Sequence, residues 1–357
     1  MKRLLFAATA ACGLLATAPV LAQLPISTPR APGPPGWTLG AYGEVLGSTR
    51  FFHPDPKKTS RFRETDVDLK RLSFFIDNKI SSWLFFSAEL EIEHGGTGVT
   101  KEIEWEEFGE YETEVEKGGE IQLEQAYLEA ALTKHVGVRA GHLLVPVGMT
   151  TTYHTPNMFS GTRRPESEAH LLPSVWHETG AELYVRTRLL SLRFQVATGL
   201  DSTGFSSNTW IAGGSQRRFE TAFANDLGFA LGLDFTGLSR TLIGLSAYTS
   251  NTTNNRPKRD MDEIDARVVI GDVHLRGQYG PLRVRALAMA GTLSNADDIT
   301  RKNASLSNGL GVPRTPVGSA AYACWAEVAF DVLQPLGSPA GQRLDLFGRY
   351  DTYDTMW

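Results

Sequence analysis

Cysteine is almost absent from this chain. It has two, Cys12 and Cys324, and the first lies within a segment that has the marks of an export signal. What remains after export cannot form an intramolecular disulfide, so something other than cross-links must hold it together. Long apolar runs are missing as well: no interior stretch reaches the about 18 consecutive apolar residues of a membrane helix. There is no basic excess. The formal net charge is -5, and it becomes more negative once Lys2 and Arg3 leave with the leader, which removes nucleic acid from the expected partners. Catalytic signatures are also lacking. There is no Gly-x-Ser-x-Gly elbow and no His-Glu-x-x-His run, and Ser167, His170 and His177 do not assemble by spacing into nucleophile, base and orienting acid. The glycines of "HGGTGVT" (94–100) are not followed by the Lys-Ser pair and helix of a phosphate cradle. The sequence therefore predicts no enzyme, no cofactor and no metal.

What is present begins with "MKRLLFAATAACGLLATAPVLA" (1–22), a basic start, an apolar run and small residues before Gln23. That is a secretory signal peptide, expected to be cleaved there. Residues 23–36 are read as a periplasmic lead and 37–357 as one β-barrel.

The barrel is read from alternation. In "FFSAELEIE" (85–93), Phe86, Ala88, Leu90 and Ile92 take one face, and Ser87, Glu89, Glu91 and Glu93 the other. Such a strand has one greasy side and one wet side, whereas a helix would smear the glutamates around its circumference. The pattern recurs at 39–48, 67–78, 121–132, 136–141, 180–188, 191–199, 226–235, 242–250, 266–279, 282–291, 322–333 and 343–353. With 85–93, that makes thirteen candidate strands. The connections between them alternate between tight turns (78–81, 133–135, 236–239, 279–281) and long segments (50–62, 94–120, 145–179, 200–225, 251–263, 292–319). Alternating short and long connections describe an outer-membrane antiparallel barrel, with short turns in the periplasm and long loops outside. Because bacterial barrels have even strand numbers, thirteen strands imply at least one more, and the chain is expected to continue beyond Trp357.

Alternation also assigns an interior. Arg193 stands opposite Leu192 and Phe194, Arg283 and Arg285 opposite Val284 and Ala286, and Arg276 shares a face with His274 and Gln278. Arg186 follows Glu182 and Tyr184. Arginine facing lipid at mid-depth costs about 2 to 4 kcal/mol, so these side chains are expected in the lumen. Glu89, Glu91, Glu129 and Glu327 occupy comparable positions, giving an acidic and a basic sector. Cys324 should face lipid beside Ala326 and Val328.

Two loops stand out. Residues 101–117 hold eight glutamates and two lysines, a solvated tip with the option of a divalent-cation bridge to lipopolysaccharide. The third long loop, 145–179, is expected to fold inward as a constriction. Arg163, Arg164, Glu166, Glu168 and His170 would line or brace it, and "LLPSVW" (171–176) would dock its return path.

Three stretches, "RAGHLLVPVG" (139–148), "RRPESEAHLLPSVWHETGAELY" (163–184) and "GLDSTGF" (199–205), resemble the phosphate-selective porin (porin O/P-like) family in its little-characterised branch. "AEVAFDVL" (326–333) and "LFGRYDTYDT" (346–355) resemble its late strands. The resemblance implies a transmembrane antiparallel β-barrel of 16 strands, a homotrimer in outer-membrane lipid and passage of small hydrophilic solutes or ions. It also implies an arginine ladder and a lysine cluster. Of these the lysine cluster is not evident, and His170 stands where the branch carries an arginine. Three functions stay open: a passive diffusion channel, a substrate-specific anion or phosphate channel, and a non-conducting barrel acting as adhesin or structural protein.

Overall fold

The computed structural model describes residues 34–52, 62–95, 101–104, 112–115, 120–155, 158–161, 164–216, 221–261, 263–306, 314–337 and 342–357. The signal peptide and most of the lead read at 23–36 lie outside them. Strands β1 (Gly36–Phe52), β2 (Phe62–Lys79) and β3 (Leu84–Glu93) come first, then the short pair β4 (Lys101–Glu104) and β5 (Glu112–Val115). Next come β6 (Glu120–Ala131), β7 (Val136–Leu144), helix α1 (Glu166–Leu171), β8 (His177–Arg186) and β9 (Leu190–Thr198). After these follow β10 (Leu227–Leu238), β11 (Thr241–Asn251), β12 (Arg267–Tyr279) and β13 (Leu282–Leu293). Helix α2 (Ala296–Ala304), β14 (Ala320–Asp331) and β15 (Asp345–Asp354) complete the order.

Thirteen of these strands form one sheet in which each pairs with its sequence neighbours, from β1 through β15, leaving out β4 and β5. Every pairing is antiparallel. Each of the thirteen strands expected from alternation is present. One reading needs correction: residues 101–115 are not all loop, since β4 and β5 pair as a separate hairpin. Glutamates alternating with Ile103 and Thr113 in an extended ribbon allow that pairing. The acidic composition hid it.

The two faces of the sheet differ as the pattern demands. Leu192, Phe194, Phe229, Leu231, Leu245, Val269, Val273, Val328 and Phe330 point outward and are exposed, while Arg193, Gln195, Asp272, His274, Arg283, Arg285 and Glu327 point inward and are buried. Cys324 is exposed on the outward face. Among the described residues no helix is long and apolar enough to cross a membrane. An apolar outer face over a polar interior, in a sheet of sequentially paired antiparallel strands, is the arrangement of the transmembrane β-barrels of the bacterial outer membrane.

The interior is filled mainly by the long connections. Val145, Val147, Leu171, Leu172 and Trp176 join Leu200, Trp210, Ile211 and Ile299 in one apolar cluster with Ile270, Leu287 and Trp325 of the wall. The cluster holds the connections inside the sheet, and it sets the geometry below.

Candidate functional site

Between β7 and β8 the chain runs across the interior, and its polar atoms bond to strands far apart in the sheet. The Gly148 N–H donates to Asp272 Oδ2 on β12 at 3.0 Å. Ser160 donates to Glu327 Oε1 on β14 at 2.7 Å, and Ser167 Oγ to Asp351 Oδ1 on β15 at 2.5 Å. Arg193 of β9 donates to Thr152 at 3.1 Å. On the other side His154 Nε2 lies 3.5 Å from Glu89 of β3. Gly148 has φ +74°, the left-handed region, and an added Cβ would run into Glu168 and Leu172. Only glycine lets the descent turn there against α1.

The acidic side is made by β1, β2, β3 and β6. Arg71 is buried among three carboxylates, Glu44 at 3.0 Å, Glu91 at 3.0 Å and Glu93 at 3.7 Å. Ser73 adds a 2.6 Å donation to Glu91. Two bulges shape this side. Glu44 pairs with Arg71 but Val45 with Leu69, and Glu89 pairs with Gln125 but Leu90 with Leu123. The extra residues are Lys70 and Glu124. A bulge puts two consecutive residues opposite one and re-aims a side chain, so Glu124 joins Gln125 and Glu89 indoors. Gln125 donates to Glu89 Oε2 at 2.6 Å. His154, on the inward segment, meets both glutamates. Burial pulls its pKa down, but the carboxylates of Glu89 and Glu124 overrule that and hold it at about 9.

The basic side is made by β12 to β15. Arg276, Arg283, Arg285 and Arg343 border a cavity of ≈ 140 Å³, together with Met158, Gly277 and Gln278. Arg276 lies over the Tyr153 ring at 4.6 Å and donates to the Met158 sulfur at 3.3 Å. Arg283 pairs with Asp345, which also takes Arg343 at 3.0 Å. Arg285 reaches Glu327 at 3.8 Å, and Arg349 reaches the same carboxylate at 3.5 Å. Burial holds the Arg343 guanidinium below its ordinary pKa, and the nearby Arg283 adds to that.

The expected constriction residues separate into different roles. Arg163 lies outside the described residues. Arg164 donates to Ser174 Oγ at 2.6 Å, and burial, then Arg71, lowers its pKa. Glu166 opens α1 and is exposed, accepting from Tyr353 at 3.2 Å. His170 stacks on Tyr353 with centroids 5.1 Å apart and donates to the Asn208 carbonyl at 3.2 Å. Glu168 takes the bracing role. It is fully buried and accepts from Thr150 N–H at 2.7 Å and Trp325 Nε1 at 3.0 Å. Burial pushes its pKa up against the Thr150 hydrogen bond. Charge alone does not reveal such a brace, because its donors come from 18 and 157 residues away.

Of the expected wall residues, Glu89 and Glu91 are on the acidic side, and Arg276, Arg283 and Arg285 are together at the cavity. Arg193 holds Thr152. Arg186 stacks over Tyr184 at 4.0 Å, in a mixed stretch where Arg139 bridges Glu129 at 2.8 Å and Glu182 at 3.1 Å. Sequence reasoning passed over Arg71, Glu124, His154 and Arg343. A signal existed for the first two. Lys70–Arg71 and Glu124–Gln125 are adjacent polar pairs that break strict alternation, which is how a bulge reads in sequence.

No protein-family model matches the chain. An uncharacterized protein of Aquifex aeolicus is 28% identical over 326 residues, which cover 90% of this chain and 66% of that protein. The chain thus spans just under two thirds of that relative's length. Among solved structures, it is similar to the outer-membrane channel DcaP of Acinetobacter baumannii at 12% identity and TM-score 0.42, covering 89% of this chain and 91% of that one. It is similar to the anion-selective porin of Comamonas acidovorans at 11% and 0.41, covering 89% of each. For Salmonella typhi OmpF the values are 12% and 0.48, with 83% and 74% covered. These neighbours are outer-membrane porins and channels. This chain shares with them an antiparallel β-barrel fold, with its apolar face outward and its charged side chains turned inward.

Proposed function

We propose that the protein is a passive diffusion channel for small hydrophilic solutes and ions, narrowed by the segment between β7 and β8. The observation that carries this reading is the asymmetry of the interior. That segment is anchored from β3 round to β15, yet beside it the arginines at 276, 283, 285 and 343 border open space. Arg276 has a thioether and an aromatic face for company, weak partners for a guanidinium, which suits a wetted position. A sealed interior would leave such charge desolvated at considerable cost. The contact with outer-membrane lipid, and the homotrimer that the family resemblance implies, belong to the same reading. Mass measurement in mild detergent checks the trimer, and a sole monomer would reject it.

The arginine quartet favours a second reading, an anion- or phosphate-selective channel. Planar guanidinium forks match phosphate oxygens, and the 163–205 resemblance points the same way. Planar-bilayer recording of the protein, native and with Arg276→Gln and Arg285→Gln, tests both readings. Stepwise currents are expected, with a reversal potential that moves toward cation preference in the variant. Absence of current in either form would overturn the channel. Currents without a shift would take the basic side out of the conduction path, and with it the anion reading.

A further inference from the structure

We propose that Glu89, Glu124 and His154 form a binding site for a divalent transition-metal ion, with Zn²⁺ the best-fitting ion, which clips the inward segment to the acidic wall. The three side chains are buried, and one ligand atom from each lies within 4.8 Å of the others. His154 Nδ1 is 2.9 Å from the Thr151 carbonyl. A carbonyl can only accept, so Nδ1 carries the proton and Nε2 turns its lone pair the other way. That lone pair faces Glu124 Oε2 at 3.3 Å and Glu89 Oε1 at 3.5 Å. With the imidazole neutral, three acceptors converge on one point, a place for a cation.

The cation could be a proton on Nε2, but the spacing argues for something larger. Charge-assisted N–H···O bonds close to about 2.7–2.9 Å, and neither glutamate approaches that distance. Glu124 Oε2, in a residue only 3% exposed, makes no hydrogen bond at all. Ligands bound tetrahedrally at about 2.0–2.2 Å stand roughly 3.3–3.6 Å apart, the spacing of His154 Nε2 from each glutamate oxygen, with a fourth position left open. The donor set also selects the ion. Imidazole with carboxylates suits zinc and its neighbours, whereas calcium wants six to eight oxygens. Two carboxylates and a neutral imidazole carry the charge that a divalent ion cancels. The surroundings resemble those of known metal sites: the Thr151 carbonyl orients the imidazole, and Gln125 holds the far oxygen of Glu89. The β-bulge supplies the third ligand, because an unbulged β6 would turn Glu124 and Gln125 to opposite faces.

Untagged protein, folded in detergent and stripped by chelator, is titrated calorimetrically with Zn²⁺. One ion per chain is expected. Gln125→Leu should weaken affinity by about 10- to 100-fold, and Glu124→Gln should abolish binding while circular dichroism shows the sheet intact. Native protein that binds Zn²⁺ no better than folded Glu124→Gln would overturn the site and leave a proton as the occupant. If the variant does not fold, Co²⁺ added to native protein decides. Visible d–d bands of a tetrahedral centre that Zn²⁺ displaces support the site, and their absence overturns it. None of these readouts depends on conductance.

Discussion

The acidic and basic sides of the interior solve the same problem in opposite ways. On β1, β2, β3 and β6, charges close on one another: Arg71 serves three carboxylates, Ser73 and Gln125 take up further oxygens, and two bulges add side chains to the crowd. On β12 to β15, the four arginines that border the cavity share two paired carboxylates, Asp345 and Glu327. A buried charge needs either a partner or water. The first side uses partners, whereas the second leaves guanidinium groups around a cavity.

The inward segment follows the same division. It meets the acidic wall through ionisable groups, His154 with Glu89 and Glu124. It meets the far wall through hydrogen bonds rather than ion pairs: Trp325 Nε1 donates to Glu168, Ser160 to Glu327 and Arg276 to the Met158 sulfur. The sharpest way to break the comparison is Arg71→Leu. Removing one partner from a buried ionic cluster costs about 3 to 5 kcal/mol, and the urea midpoint of the folded barrel should fall accordingly. The mirror change, Arg285→Leu, should cost only about 1 kcal/mol, because Glu327 keeps Ser160 at 2.7 Å and Arg349 at 3.5 Å. Equal losses at the two positions would mean that the basic side is as internally closed as the acidic one.

The smallest effect expected is a pH dependence at the segment's uncharged anchor. Burial raises the folded-state pKa of Glu168 above its ordinary 4.5. A group raised on folding contributes stability that is fully present below the unfolded value and is lost as pH rises through the folded one. Native protein should therefore lose stability relative to Glu168→Gln as pH climbs from about 4.5. Parallel urea midpoints for the two proteins across that range would show that Glu168 does not titrate in the folded state.

Much of this fold was legible in sequence because a barrel strand declares itself locally. Glu89 and Glu91 between Ala88, Leu90 and Ile92 need no distant information to be placed indoors, since successive side chains of a strand take opposite faces. The same holds for Arg283 and Arg285, and for Cys324 on the outward side. Omissions gathered where period two fails or where composition masks it. The β4–β5 hairpin was hidden by its acidic composition. Glu124 lay on a bulge, and the donors that make Glu168 a brace come from distant segments.

The sequence by itself determined the number, order and facing of the thirteen strands of the main sheet, because alternation and connection length act over a few residues at a time. The tertiary structure alone decided which charges became partners. Glu168 waits for Trp325, and His154 for Glu89 and Glu124. These groups meet only after the sheet has curled and its longest connection has turned inward, and burial then forces each to find a partner or keep its water.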